Sequence, residues 1–187
     1  IERIVRVFAA LGVDKLRLTG GEPLVRKDVE TLIDRLGAID GLRTLALTTN
    51  GLLLPKKMAR LHAGGVNLLN ISLDTLQPER FTFITRRQGF DKVMEAVDLA
   101  LSYGYAPLKV NCVVMRGFND DELSDFATWT REKPIEVRFI EYMPFDGNRW
   151  SDQRFMPYTE MIERIQEAHP RLERLEDYAN ATSKTYH

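Results

Sequence analysis

Apolar residues recur along this chain in two alternating rhythms. Ile1, Ile4, Val5, Phe8 and Leu11 fall three or four apart, as on one face of a helix, and Gly12 follows as a stop signal. Residues 15–19 then alternate apolar and polar, which predicts a strand. The two rhythms keep exchanging. Helical spacing predicts helices over 28–36, 55–63, 78–84, 90–103, 120–130 and 158–168. Short apolar or alternating runs predict strands over 42–48, 68–73, 108–115 and 135–142. Punctuation agrees with these limits. Asp28 and either Asn119 or Asp120 suit N-caps, Pro55 suits a first helical turn, and Gly64-Gly65, Gly104 and Pro170 suit stops.

Strands alternating with helices imply a parallel sheet with right-handed crossovers. Two architectures fit, an open doubly wound sheet and a full or partial barrel. Four strands end in similar polar or glycine clusters: Thr19-Gly20-Gly21-Glu22, Thr48-Thr49-Asn50-Gly51, Ser72-Leu73-Asp74 and Glu141-Tyr142-Met143-Pro144. A barrel brings all such ends to one mouth, whereas a doubly wound sheet gathers them at one switch point. The pattern therefore favours the barrel. Residues 1–170 read as this core and 171–187 as a charged, aperiodic tail.

Composition narrows the function classes. The 187 residues are 44% hydrophobic and 28% charged, with a formal net charge of -1. That is a globular balance with no overall basic field for nucleic acid. No apolar run is long enough to span a bilayer. Cys112 is the single cysteine, which rules out an internal disulfide and a metal site built from several cysteines.

The stretch Leu16 to Leu24 carries the densest signal. A short strand runs into Gly20-Gly21, a turn where backbone could come close to another group, and Pro23 then stops the ladder. Charged residues inside strands are a second signal, because parallel strands are normally buried on both faces. Arg17 lies in the first strand, Lys109 and Asn111 share one face of the fourth, and Arg138 lies in the fifth. Lys109 and Arg138 could pair with Glu22, Asp74 or Glu141. Alternatively the cations line a lumen that holds an anionic ligand, most simply a polyphosphate. Three basic residues on three strands favour the lumen.

Other groups are weaker. Lys56-Lys57 and Arg86-Arg87 read as solvated helix ends, and His62, His169 and His187 lack metal-ligand spacing. Cys112 reads as a small core residue. Phe145 to Trp150 reads as a turn with two aromatic anchors, either a lid or a packed loop. There is no Walker-type phosphate loop, no Ser-His-Asp set and no paired-carboxylate arrangement.

Thr19-Gly20-Gly21-Glu22-Pro23-Leu24 resembles the GGEP motif of radical S-adenosylmethionine enzymes. The likeness extends through Thr48-Thr49-Asn50-Gly51, Asn70-Ile71-Ser72-Leu73-Asp74, Lys109-Val110-Asn111 and Arg138-Phe139-Ile140-Glu141-Tyr142-Met143. As a set these resemble the GTP 3′,8-cyclase family, also called the molybdenum cofactor biosynthesis protein A family. The resemblance implies most of a partial (β/α)₆ TIM-like barrel. It implies that Gly21, Ser72 and Met143 hold S-adenosylmethionine and that Arg17, Thr48 and Lys109 bind GTP, with Arg138 a further phosphate ligand. It implies a [4Fe-4S] cluster that cleaves S-adenosylmethionine to a radical, which takes the hydrogen at C3′ of GTP so that C3′ joins C8. An electron donor and the next enzyme of molybdopterin synthesis would be partners, with homodimerisation open. The compartment would be the bacterial cytoplasm or the mitochondrial matrix.

The chain also departs from that family's pattern. The N-terminal C-x-x-x-C-x-x-C motif is absent, as are the C-terminal cysteines of a second [4Fe-4S] cluster and the glycine-glycine tail. The expectation is a central fragment, without the N-terminal barrel unit and the C-terminal domain, that offers no metal ligands or catalytic residue and does not turn over. Two alternatives remain at this point: another radical S-adenosylmethionine enzyme, or a cluster-free paralogue that only binds a nucleotide.

Overall fold

Five short strands carry the chain: β1 (Lys15–Leu18), β2 (Thr44–Thr49), β3 (Val66–Ser72), β4 (Leu108–Val114) and β5 (Ile135–Glu141). In this computed structural model, which describes residues 1–144, 152–176 and 183–187, they form one parallel sheet in the order β1-β2-β3-β4-β5. Strand order follows chain order, so no switch point exists among them. Right-handed crossovers then return every helix over the same face. This is the winding of a barrel wall and not of a doubly wound sheet, and it meets the partial-barrel expectation.

The helices are α1 (Glu2–Ala10), α2 (Val29–Gly37), α3 (Leu54–Ala63), α4 (Pro78–Thr85), α5 (Phe90–Ser102), α6 (Leu123–Glu132) and α7 (Tyr158–Ala168). Their apolar stripes share one core with one face of the sheet. Leu45 and Leu47, Leu69 and Ile71, and Leu108, Val110, Cys112 and Val114 are buried there. They pack with Ile33 and Leu36 of α2, Met58 and Leu61 of α3, Val93 and Val97 of α5, and Phe126 of α6. The opposite face is less covered. Along β4 the residues alternate strictly between buried and half-buried, so one side meets the core and the other an open hollow.

Several boundaries differ from the expectation. Strand β2 begins at Thr44, because Leu42 N–H closes a turn onto the Ile39 carbonyl. A 3₁₀ turn over Pro23–Val25 follows the glycines. Residues Asp120–Glu122 form another 3₁₀ turn before α6 begins at Leu123. None of the three proposed N-caps acts through its side chain on its helix, and Asp120 instead accepts from Gly117 N–H. Asp28 turns to Arg26 at 2.9 Å, and Asn119 is drawn into the loop after β4. The tail is partly paired: Glu173 and Leu175 N–H groups donate to the His187 and Thr185 carbonyls.

Candidate functional site

Ladder register decides which side chains meet. In one row across the sheet Thr48 pairs with Asn70, Asn70 with Lys109, and Lys109 with Glu136. In the next row, toward the strands' carboxyl ends, Ser72 pairs with Asn111 and Asn111 with Arg138. Arg17 pairs with Ala46, which shares the face of Thr48. Paired residues in register point to the same side, so all these polar groups lie on the face opposite the apolar core. Arg17 Nη1 donates to Thr48 Oγ1 at 3.0 Å.

The expected carboxylate partners are elsewhere. Glu22 accepts from Thr49 Oγ1 at 2.7 Å, Asn50 N–H at 2.7 Å and Leu24 N–H at 3.1 Å. Asp74 accepts from Val113 N–H, and Glu141 from Tyr158 N–H. The partner of the two cations is instead Glu136, 3.6 Å from Lys109 Nζ and 2.8 Å from Arg138 Nε. Sequence reasoning offered only acids at the strands' carboxyl ends and so missed Glu136 inside β5. The period-two spacing of Glu136 and Arg138 would have put both on one face.

One carboxylate does not balance three cations. Among the described residues Arg17 is paired with no carboxylate. Burial first, and then the nearby Arg138 guanidinium, hold the Arg17 guanidinium below its ordinary pKa. Burial and Arg138 likewise lower Lys109, against the opposing pull of Glu136. Groups that are less stable charged because of like neighbours and lost water are stabilised by an arriving anion.

At the carboxyl ends, Gly20 and Gly21 have φ of 89° and 52°, where a side chain is strained. Nothing lies within 4 Å of the place where either Cβ would sit. The pair is therefore needed for the bend itself, and the bend leaves its backbone open instead of pressing it against protein. Glu22 ties this bend to Thr49 and Asn50 at the end of β2 through the three hydrogen bonds above. Ser72 closes β3 and is half-buried, and Met143, two residues beyond β5, is 60% exposed. The structure thus places Arg17, Thr48, Lys109, Arg138 and Ser72 on one face of the sheet, with Gly21, Ser72 and Met143 at one end of it. Phe145 to Trp150 lie outside the described residues.

A second polar cluster supports that end. Asn119 Nδ2 donates to the Asp74 carbonyl at 2.6 Å and the Val113 carbonyl at 2.9 Å. Burial pushes the Asp74 carboxyl up, opposed by Val113 N–H. An acid raised in the folded state is most at ease protonated, so its stability penalty is absent below the unfolded-state pKa and grows as pH rises through the folded one. Asp74→Asn keeps an acceptor for Val113. It is expected to raise the melting temperature at pH 7 and to leave it nearly unchanged at pH 3, as differential scanning calorimetry would record. Cys112 is buried beneath Asp74, with its thiol well above the ordinary range through burial.

The family model described as the Radical SAM superfamily matches residues 1–130. Molybdenum cofactor biosynthesis protein 1 of Dictyostelium discoideum is 55% identical over 190 residues, covering 100% of this chain and 30% of that protein. The mitochondrial GTP 3′,8-cyclase of Arabidopsis thaliana is 51% identical over 186 residues, covering 100% of this chain and 48% of that one. The GTP 3′,8-cyclase of Geobacter sulfurreducens is 49% identical over 164 residues, covering 87% and 50%. The chain therefore spans half or less of the length of these relatives. Among solved structures, TYW1 with a lysine-pyruvate adduct shares the fold at TM-score 0.64 and 17% identity, covering 94% of this chain and 61% of that one. Coproporphyrinogen III oxidase of Escherichia coli does so at 0.63 and 16%, covering 90% and 43%.

Proposed function

This chain belongs to the radical SAM superfamily, and on that premise we propose that it is the central part of a GTP 3′,8-cyclase, the enzyme of the first step of molybdenum cofactor biosynthesis. The observation that carries the reading is the set of three cations from three strands, Arg17, Lys109 and Arg138, on one open face with, among the described residues, one carboxylate paired to them. Identity near 50% to proteins named for that activity supports it.

The family implies S-adenosylmethionine and an iron–sulfur cluster. The residues here fit the first. The open bend at Gly21, the Ser72 hydroxyl and Met143 offer backbone, hydroxyl and thioether groups at one end of the sheet. They do not fit the second. Cys112 is the one cysteine, it is buried on the helix side of β4, and among the described residues no three His, Cys, Asp or Glu are placed to hold a metal. The ligands of the two [4Fe-4S] clusters proposed for the parent therefore belong to segments outside this chain, and no step is assigned to them here.

Bound S-adenosylmethionine, given one electron to cleave its sulfonium C–S bond, would supply a carbon radical that can take hydrogen from any nearby C–H bond, so selectivity rests on position. The chain's own residues provide that position. Arg17, Lys109 and Arg138 take the triphosphate, and Thr48, held by Arg17, orients it. Half-burial of these groups keeps their electrostatic attraction stronger than it would be in water.

The test is the full-length parent, reduced and anaerobic, with GTP and S-adenosylmethionine. Formation of 3′,8-cyclo-GTP supports the assignment, while 5′-deoxyadenosine without cyclised GTP removes GTP as substrate. Lys109→Ala is expected to weaken GTP binding by about 1–2 kcal/mol, the low end for a charge-assisted contact because Glu136 already shares the ammonium. Calorimetric titration checks this, and an unchanged affinity takes Lys109 out of the site.

A further inference from the structure

Asn70 is 3% exposed, and its Oδ1 has no hydrogen-bond partner among the described residues. A buried acceptor left without a donor is destabilising, and such groups are uncommon in folded proteins. The position is not peripheral. Asn70 stands in the ladder between Thr48 and Lys109, on the open polar face, with each neighbouring strand about 4.8 Å away. An acceptor there is unlike its surroundings, which are dominated by cationic donors. Those donors suit phosphate oxygens. An amide oxygen does not, since an ionised phosphate also only accepts.

We infer that Asn70 is a specificity residue whose Oδ1 accepts a hydrogen bond from a sugar hydroxyl of the bound nucleoside triphosphate. This rests on the reading of the face as a GTP site. A nucleoside triphosphate has donors only on its sugar and base. With the phosphates beside Lys109 in the same row, the sugar is the donor-bearing part joined most closely to them, and the base lies beyond it. S-adenosylmethionine carries a ribose too, but its proposed ligand Ser72 sits one row further toward the strand ends. Asn70 shares its row with the triphosphate residues instead. The contact would orient the sugar, the part of the substrate whose hydrogen has to be presented for reaction. It would also discriminate against deoxynucleotides, because a missing hydroxyl leaves the buried oxygen unpaired again.

The experiment uses the full-length parent protein under anaerobic conditions, as wild type, Asn70→Leu and Asn70→Ala. Binding of GTP, 2′,3′-dideoxyGTP and S-adenosylmethionine is measured by calorimetry, and melting is followed without ligand. Wild type is expected to prefer GTP over the dideoxy analogue by about tenfold or more. Both variants are expected to lose that preference and to bind S-adenosylmethionine as before. Asn70→Leu removes the buried orphan at similar volume, so its unliganded melting temperature should match or exceed wild type. If it does not fold, the Asn70→Ala variant and the wild-type preference still decide. Equal wild-type affinity for the two nucleotides, or a preference kept in the variants, overturns the inference alone. Weakened S-adenosylmethionine binding with an unchanged nucleotide preference moves Asn70 to the other ribose and overturns it as well. No GTP binding by wild type overturns the underlying GTP reading, and the inference with it.

Discussion

Arg138→Glu in the full-length parent is expected to weaken GTP binding by about 3 kcal/mol or more, over 100-fold. Two effects add. A guanidinium that could grip phosphate in a bidentate manner is lost, and a second carboxylate is placed beside Glu136 on the same face. Lys109, which now shares one carboxylate at 3.6 Å, would then be enclosed by two and withdrawn from the ligand. Arg17 would gain the opposite effect, because the like charge that lowers its pKa would be replaced by an attractive one. Fold stability should therefore hold while affinity falls, and urea unfolding beside calorimetric titration separates the two. GTP affinity within a few-fold of wild type would show that the triphosphate does not lie on this face.

The contrast between Arg138 and Glu136 shows what the sequence made legible. A charged residue in a run of Val, Ile and Leu is conspicuous, so Arg17, Lys109 and Arg138 could be singled out from pattern alone. The shared face of Lys109 and Asn111 followed from period two. Placing Arg17 and Arg138 on that face needed the register between strands, which depends on how five segments pack and not on any one of them. The choice of Glu136 over Glu22, Asp74 and Glu141 is equally a matter of packing: each rejected acid already accepts from a backbone N–H of another element, Asn50 after β2, Val113 in β4 and Tyr158 at the start of α7. The barrel was readable because similar polar ends on four strands suit a barrel mouth. The 3₁₀ turns were not, since Pro23–Val25 and Asp120–Glu122 are too short to carry a period. Asn70 could be assigned to the polar face by its spacing from Ser72, but a missing hydrogen-bond partner has no signature in sequence.

The polar face depends on loops that are themselves held by one buried carboxylate. Glu122 is 1% exposed. It accepts from Thr75 Oγ1 and Leu76 N–H, each at 2.6 Å, and pairs with Arg80, which also holds Asp121 at 2.7 Å. These bonds join the loop after β3, which follows Ser72, to the start of α6, and they fix the first residues leading to α4. Glu122→Ala would leave a hydroxyl, an N–H group and a guanidinium facing the cavity it vacates. Removing one member of a buried charged network costs about 3–5 kcal/mol, and this is the largest loss of fold stability expected of the variants considered. Urea unfolding should show it as a lower midpoint with an unchanged slope. Replacing Glu122 and Arg80 together by leucine should recover only the part of the loss that comes from the unpaired guanidinium, because the Thr75 hydroxyl and Leu76 N–H remain without an acceptor. Partial recovery would identify that share of the cost as the guanidinium left without its carboxylate. A double variant no better than Glu122→Ala would mean that the carboxylate acts through the loop geometry it imposes, in which case S-adenosylmethionine binding next to Ser72 should fall in both.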